Sequence, residues 1–212
     1  AYRNPPELAE VAHNDARLFF QDRFLIGHQL TYTLFIQAII NEIPLEKLGW
    51  YIGKLGDDHQ VMKYILNYDT IGSPGKGEAA LDPDFRMMPA SKFVKIYGLD
   101  CQAINLLPAA YYLCYRYPNN FEMAVLSAIN SGGNNMARAT LTGGIVGAMV
   151  GLEGIPEKFI KGLNQSEKYI ELARQIASFA VGSANYEVTE YNPNIDALPH
   201  SADEIEGSDD VS

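Results

Sequence analysis

The sequence has few residues that could crosslink the chain or bind a metal, with only two cysteines and four histidines among 212 residues. Cys101 and Cys114 are thirteen positions apart. On a helix that spacing is about 20 Å at 1.5 Å per residue, too far for a disulfide between them. We therefore expect two buried thiols, which favours the cytoplasm or another reducing compartment. An organelle address upstream of Ala1 is left open.

Long hydrophobic runs and an excess of basic residues are also missing. The longest apolar run, residues 139–152, falls short of the ~20 residues that a membrane-spanning helix needs. The net charge of −10 comes mainly from residues 185–212, which hold eight acids and no Lys or Arg. The rest of the chain is nearly neutral and has no electrostatic footprint for nucleic acid. We predict neither a membrane partner nor a nucleic-acid partner.

No stretch shows sustained apolar–polar alternation or a hairpin signal, so the predicted fold class is all-α. Residues 1–184 are expected to form one helical domain and residues 185–212 a disordered acidic tail. A long helix is predicted over residues 15–41, with others starting near residues 45, 57, 100 and 119. Residues 68–91 contain many Gly and Pro residues and are expected to form a long loop. The aromatic residues at 111–121 are expected in the core, although stacking on a purine is an alternative.

The most informative segment is residues 131–151, Ser-Gly-Gly-Asn-Asn-Met-Ala-Arg-Ala-Thr-Leu-Thr-Gly-Gly-Ile-Val-Gly-Ala-Met-Val-Gly. A Gly-Gly turn enters a helix whose first turn carries side-chain amides. Gly143, Gly147 and Gly151 then recur every four residues. Because each Gly in a helix costs about 1 kcal/mol relative to Ala, this face is predicted to line a close contact with another helix.

This segment resembles the C-terminal signature of the ADP-ribosylglycohydrolase family, in which a Gly-Gly-Asp-x-Asp-Thr turn opens a helix of small residues and Ile-Pro-x-x-Trp follows. Gly132 and Gly133 fall on the glycine pair, and Ile155-Pro156 falls on the Ile-Pro, with Phe159 as the aromatic residue. The resemblance implies a compact multi-helix bundle and magnesium-assisted cleavage of N- or O-glycosidic bonds to ADP-ribose.

The likeness extends upstream. Residues 97–125 resemble the family's Leu-Pro-Ala-Ala and Phe-Glu-x-Ala-Val helices, and residues 12–15, Ala-His-Asn-Asp, resemble its Thr-His turn. The likeness covers most of residues 8–180 but only the second half of a family member, so the N-terminal half of the family fold is expected to be absent from this chain. The Gly-Gly-Asn-Asn-x-x-Arg form is similar to the branch that contains J-crystallins and selenoprotein J.

The residues at the family's metal-binding positions differ. Asn134, Met136 and Ala137 stand where the family has two aspartates and a threonine. A neutral amide and a soft thioether are poor replacements for carboxylates on Mg²⁺, and Arg138 adds a positive charge beside them. We therefore predict no metal site and no cofactor.

The resemblance and the helix N-terminus together suggest a set of ligand-binding residues. An anionic group is favoured by the amides and dipole of such a terminus, and Arg138 could contribute a guanidinium to phosphate. The simpler alternative is that Asn134 only caps the helix and that Arg138 lies on the surface or pairs with Glu122. The candidate ligand-binding residues are Gly132, Gly133, Asn134, Asn135, Arg138 and, from the resemblance alone, His13.

The expected function is that of an ADP-ribosylglycohydrolase-like protein with a degenerate metal site and a cleft that binds ADP-ribose or another nucleotide. Two alternatives stay open. One is an active glycohydrolase whose remaining ligands lie on a missing segment or a partner chain. The other is a crystallin-like structural or interaction protein.

Overall fold

A computed structural model describes residues 4–182, with side chains to residue 179. Within this range the regular structure is helical and no strand occurs, which confirms the all-α prediction. The α-helices are α1 (Pro5–Arg17), α2 (Arg23–Ile40), α3 (Leu45–Lys54), α4 (His59–Ile65), α5 (Tyr68–Ile71), α6 (Pro83–Arg86), α7 (Ala90–Phe93), α8 (Ala103–Arg116), α9 (Phe121–Asn130), α10 (Asn135–Val150), α11 (Glu157–Gly162) and α12 (Ser166–Gly182). Segments of 3-10 helix cover Leu55–Asp57, Ser73–Leu81, Val94–Tyr97 and Leu152–Gly154.

The described residues belong to two compact units, one that extends to Ser166 and one that begins at Glu167 and contains α12. The predicted acidic tail, residues 185–212, lies outside the described residues. No described helix is both long enough and apolar enough to cross a lipid bilayer.

Helix α8 is the centre of the first unit. Every side chain from Leu106 to Tyr115 is buried, and α8 packs against α9, α10 and the 3-10 segment Ser73–Leu81. The prediction that the aromatic residues of this helix belong to the core is confirmed, since Tyr111 and Tyr112 are fully buried. In the sequence, a helix that is buried on all sides is an apolar run without the periodic pattern of an amphipathic helix.

The predicted loop over residues 68–91 is wrong. This stretch forms α5, a 3-10 segment, α6 and the beginning of α7. Gly77 shows why glycine is needed there, because a Cβ on it would lie 2.6 Å from the carbonyl carbon of Tyr111. Here glycine allows two backbones to approach closely.

The predicted long helix over residues 15–41 is also wrong. Helix α1 ends at Arg17, and Asp22 begins a new helix, since its Oδ1 accepts the N–H groups of Phe24 at 2.8 Å and Leu25 at 3.0 Å. Aspartate is among the strongest N-cap residues. In the sequence, the polar run Gln-Asp-Arg over residues 21–23 separates two apolar segments at this break.

Two smaller expectations need correction. Helix α9 is capped by Asn120, whose Oδ1 accepts the N–H of Met123 at 3.0 Å, one residue later than predicted. Cys101 is exposed rather than buried, because it precedes α8. Cys114 is buried as expected, and burial raises the pKa of its thiol.

Candidate functional site

The candidate site is built on the turn between α9 and α10. Gly132 has φ +79° and Gly133 has φ +62°, both in the left-handed region that favours glycine. Gly133 is needed for a second reason, since a Cβ there would lie 2.2 Å from the carbonyl oxygen of Leu99. A Cβ on Gly132 would meet nothing within 4 Å. Both glycines are exposed, but Gly132 has open space around it whereas Gly133 is pressed against the segment before α8.

Leu99 and its neighbours are part of the site, and sequence reasoning missed them. The carbonyl oxygen of Leu99 accepts the N–H of Asn134 at 2.8 Å. Asp100 orders the same segment, since its carboxylate accepts the Asn105 side-chain amide at 2.9 Å and the Gln102 N–H at 2.9 Å. These two bonds, the Asn105 bond first, lower the pKa of Asp100. An Asp three residues before the first residue of α8 was the available signal.

Asn134 and Asn135 hold the turn in place. Oδ1 of Asn134 accepts the Ala137 N–H at 3.4 Å, which makes Asn134 the N-cap of α10. Nδ2 of Asn135 donates to the Ile129 carbonyl at 3.3 Å, and its N–H donates to the Gly133 carbonyl at 2.8 Å. The capping alternative is thus present in the structure. The N–H of Asn134 donates to the carbonyl oxygen of Leu99 and is therefore not available to a ligand.

Two backbone donors of the turn are left over. Among the described residues, no acceptor bonds to the N–H of Gly133 or of Met136. Gly133 is exposed, and Met136 is exposed by 78%. Backbone N–H groups left free at the N-terminus of a helix favour an anion, because the positive end of the helix dipole lies there as well.

Arg138 lies under the turn and is fully buried. Its Nη1 donates to the carbonyl oxygens of Gly132 at 2.9 Å and Ala128 at 3.2 Å. Ala128 belongs to the last turn of α9, where the helix dipole favours a cation. The expected surface position of Arg138 is wrong, because the side chain is fully buried. The expected pair with Glu122 is wrong too, because Glu122 forms a salt bridge with Lys158.

The Arg138 guanidinium carries a buried charge without a counterion. No described acidic residue forms a salt bridge with it, and its Nε and Nη2 have no hydrogen-bond partner in the described chain. Burial lowers the pKa of the Arg138 guanidinium, although arginine keeps its proton under all ordinary conditions. The charge therefore adds a positive potential beneath the N-terminus of α10.

The residues at the positions that the resemblance assigns to metal ligands offer poor donors for Mg²⁺. The Asn134 side-chain oxygen is used as a cap, the Met136 thioether is a soft donor, and Ala137 has no donor. Among the residues that the structure describes, no three His, Cys, Asp or Glu side chains are grouped closely enough to hold a metal ion.

His13 lies on α1, where its ring contacts Tyr64 of α4 with centroids 5.0 Å apart. Burial first, and the nearby Arg17 and Arg23 next, lower the pKa of His13, while an Asn14 hydrogen bond opposes the shift. Its contacts belong to the α1–α4 packing. The structure thus brings five of the six predicted ligand-binding residues together at the α9–α10 turn. The sixth, His13, is positioned by the packing of α1 against α4.

The glycine face of α10 is only partly as predicted. A Cβ on Gly143 or Gly147 would lie 3.7–3.9 Å from side chains of α9, which is ordinary van der Waals distance. Gly151 ends the helix with φ +67° and open space around it. The close approach is instead at Gly144, where a Cβ would lie 2.6 Å from the hydroxyl of Tyr32.

These features define an all-α protein with a glycine-rich helix entrance as its candidate ligand site. The sequence model of the ADP-ribosylglycohydrolase family matches residues 1–185. The chain therefore belongs to the ADP-ribosylglycohydrolase family. No curated protein matches it significantly.

Proposed function

We propose that this protein is a divergent ADP-ribosylglycohydrolase-like binding protein. On this proposal it binds ADP-ribose or a related nucleotide at the α10 entrance without a magnesium centre. The observation that carries the proposal is a cation, Arg138, buried where the family's metal ligands have been replaced. The N–H groups of Gly133 and Met136 would hold a phosphate oxygen at the surface.

Arg138 would act mainly through position and charge. Its Nη1 fixes the carbonyl of Gly132, which holds the turn in the conformation that exposes the Gly133 amide. Because no acidic group neutralises the guanidinium, its field favours an anion at the turn. The finer assignment to the J-crystallin and selenoprotein J branch belongs to this proposal as well, and is motivated by the Asn-Asn-x-x-Arg pattern.

Two alternatives differ in their consequences. An active glycohydrolase would need carboxylate ligands from a segment or partner outside this chain, and would hydrolyse ADP-ribosylated substrates only with Mg²⁺. A crystallin-like structural protein would bind no nucleotide. Nucleotide binding and the metal dependence of hydrolysis therefore separate all three.

Restoring the family's donor set tests the proposed loss of the metal site. The triple variant N134D/M136D/A137T should bind Mn²⁺ at least tenfold more tightly than the unaltered protein in a calorimetric titration. Asp replaces Asn without loss of capping, so the fold should survive. The matched control is N134S/M136L/A137T, which changes the same three positions and keeps a capping residue but adds no carboxylate. Equal Mn²⁺ affinity in the triple variant and the unaltered protein would contradict the loss of a metal site by these substitutions.

A further inference from the structure

The segment that precedes α8 is held by one side chain, that of Asn105 in the first turn of the helix. Nδ2 of Asn105 donates to both carboxylate oxygens of Asp100, to Oδ1 at 2.9 Å and to Oδ2 at 3.0 Å. The same side chain lies against Gly98, because a Cβ on Gly98 would be 2.8 Å from Asn105 Cγ. Leu99 stands between Gly98 and Asp100, so Asn105 fixes the backbone on both sides of it. We refer to Gly98, Asp100 and Asn105 as the clamp.

Glycine is required at position 98 of the clamp for two reasons. Its φ is +110°, in the left-handed half of the map that side chains with a Cβ rarely adopt. A Cβ there would also be 2.8 Å from the Asn105 side-chain nitrogen, so another residue would displace the amide from Asp100. The clamp is therefore a specific local structure, in which the backbone of one residue makes room for the side chain of another.

The clamp reaches the α10 entrance through the carbonyl oxygen of Leu99. This oxygen accepts the N–H of Asn134 at 2.8 Å, and a Cβ on Gly133 would lie 2.2 Å from it. Asn134 stands between Gly133 and Met136, whose N–H groups have no acceptor among the described residues. The position of both free N–H groups thus depends on where Leu99 is held.

Gly133 lies between two anchored peptide groups. On one side, Nη1 of Arg138 holds the carbonyl oxygen of Gly132 at 2.9 Å. On the other side, Leu99 holds the N–H of Asn134. Glycines have wide conformational freedom when they are not held, and a binding site that is already ordered loses less entropy when its ligand arrives. Release of either anchor should therefore weaken the binding of an anion at this turn.

We propose that Asn105 is a positioning residue for the anion site at the α10 entrance. It acts through Asp100 and Leu99 without touching the ligand, and it keeps the free N–H groups of Gly133 and Met136 in the arrangement that binds a phosphate. This inference rests on the proposed function, since it concerns the same site. Coupling between two equilibria is reciprocal, so a bound nucleotide should in turn stabilise the bond between Leu99 and Asn134.

The first test is a calorimetric titration of the full chain with ADP-ribose in EDTA. Asn105→Ala should bind ADP-ribose at least fivefold more weakly than the unaltered protein. Alanine favours the helix, so the variant should fold. Asn119→Ala is the matched control, because Asn119 is an exposed asparagine outside the clamp, and it should change the affinity less than twofold.

A double variant separates positioning from a general loss of stability. Asp100→Ala removes the other half of the same contact and should also weaken binding at least fivefold. Because Asn105 acts through Asp100, the variant Asp100→Ala/Asn105→Ala should bind within twofold of Asp100→Ala alone. Losses that multiply in the double variant would overturn the proposal.

Hydrogen exchange followed by NMR measures the bond itself. The Asn134 N–H should exchange at least tenfold faster in Asn105→Ala than in the unaltered protein, and saturating ADP-ribose should slow it in the unaltered protein. The N–H of Tyr112, in the buried middle of α8, should keep its rate. Equal acceleration at Asn134 and Tyr112 would show general destabilisation and would overturn the positioning role.

The outcomes distinguish this inference from the proposed function. If the unaltered protein binds ADP-ribose and Asn105→Ala binds it equally well, the positioning role is overturned and the proposed function stands. If the unaltered protein binds no ADP-ribose in EDTA, the proposed function is overturned and this inference falls with it.

Discussion

At the scale of single residues, the two glycines of the α9–α10 turn are not equivalent. Both have positive φ, but only Gly133 lies against another backbone, at the carbonyl oxygen of Leu99. The N–H of Asn134 donates a hydrogen bond to the same carbonyl oxygen. A Cβ would therefore clash with the segment before α8 at Gly133 and would find open space at Gly132.

Substitution should reveal this difference directly. Gly132→Ala should cost about 1–2 kcal/mol, the penalty of a left-handed residue with a Cβ. Gly133→Ala should cost that amount plus about 1–3 kcal/mol of overpacking, because the Leu99 carbonyl must move. Urea denaturation of the two variants measures both values. Equal losses would mean that Leu99 does not press on Gly133.

His28 supplies a pH-dependent prediction. It is 2% exposed, its ring meets Phe24 edge-on, and neither ring nitrogen has a partner among the described residues. Burial first, and the charge of Lys76 next, lower the pKa of His28 from 6.5. The unfolded chain therefore takes up a proton at a higher pH than the folded chain, and the free energy of unfolding should fall as pH drops below about 6.5.

The corresponding variant is His28→Asn. Its unfolding free energy should fall less steeply between about pH 7 and pH 5 than that of the unaltered protein. Some slope should remain, because burial also lowers the pKa of His13. The exposed His59, replaced by Asn, is the control. A slope unchanged by His28→Asn would show that this ring is not protected from protonation in the fold.

At the scale of elements, the residues at the start of each helix determine how well its bounds can be predicted from the sequence. Helix α3 begins at Leu45 after Pro44, as predicted, because proline at a helix start leaves a clear signal. The end of α1 has no such signal. The break lies at the polar run of residues 21–23, where the signal in the sequence is a single capping residue, Asp22.

The candidate site shows the same limit. Its chain-local parts, the glycine turn and the Asn134 cap, were predictable from residue types. The contact with Leu99 and the burial of Arg138 were not, because they depend on which helices pack together. Arginine is rarely buried without a partner, so residue statistics favoured the surface position that the structure overturns.

The glycines of α10 give a prediction in which the sign matters. A methyl group at Gly147 would meet Phe121 at 3.8 Å without a clash. Gly147→Ala should therefore stabilise the protein by up to about 1 kcal/mol through helix propensity. Gly144→Ala should leave the protein about 1–2 kcal/mol less stable than Gly147→Ala, because both gain the same helix propensity but the methyl group at Gly144 displaces the Tyr32 hydroxyl from its 3.0 Å bond to the Leu141 carbonyl.

Thermal unfolding of the two alanine variants measures this difference. Gly143→Ala serves as the neighbouring reference, since its Cβ would also find ordinary contact distances. A lower melting temperature for Gly147→Ala would mean that α9 and α10 pack more closely than the contacts with Phe121 indicate.

At the scale of the whole molecule, the chain has an all-α fold and belongs to the ADP-ribosylglycohydrolase family, and we propose that the chemistry of its site differs from the family's. The match over residues 1–185 shows the family, and α8, α9 and α10 pack around the glycine turn. The positions of the family's metal ligands hold an amide cap, an exposed thioether and an alanine. The family and the helical scaffold are therefore shown, whereas the loss of the metal site and ligand binding without metal are proposed.

The central claim is tested most directly by calorimetric titration of the protein with ADP-ribose, first in EDTA and then in excess Mg²⁺. We predict binding in EDTA with a Kd that changes less than twofold when Mg²⁺ replaces it, and no release of ribose products under either condition. Binding that requires Mg²⁺, or hydrolysis that EDTA abolishes and Mg²⁺ restores, would contradict the account.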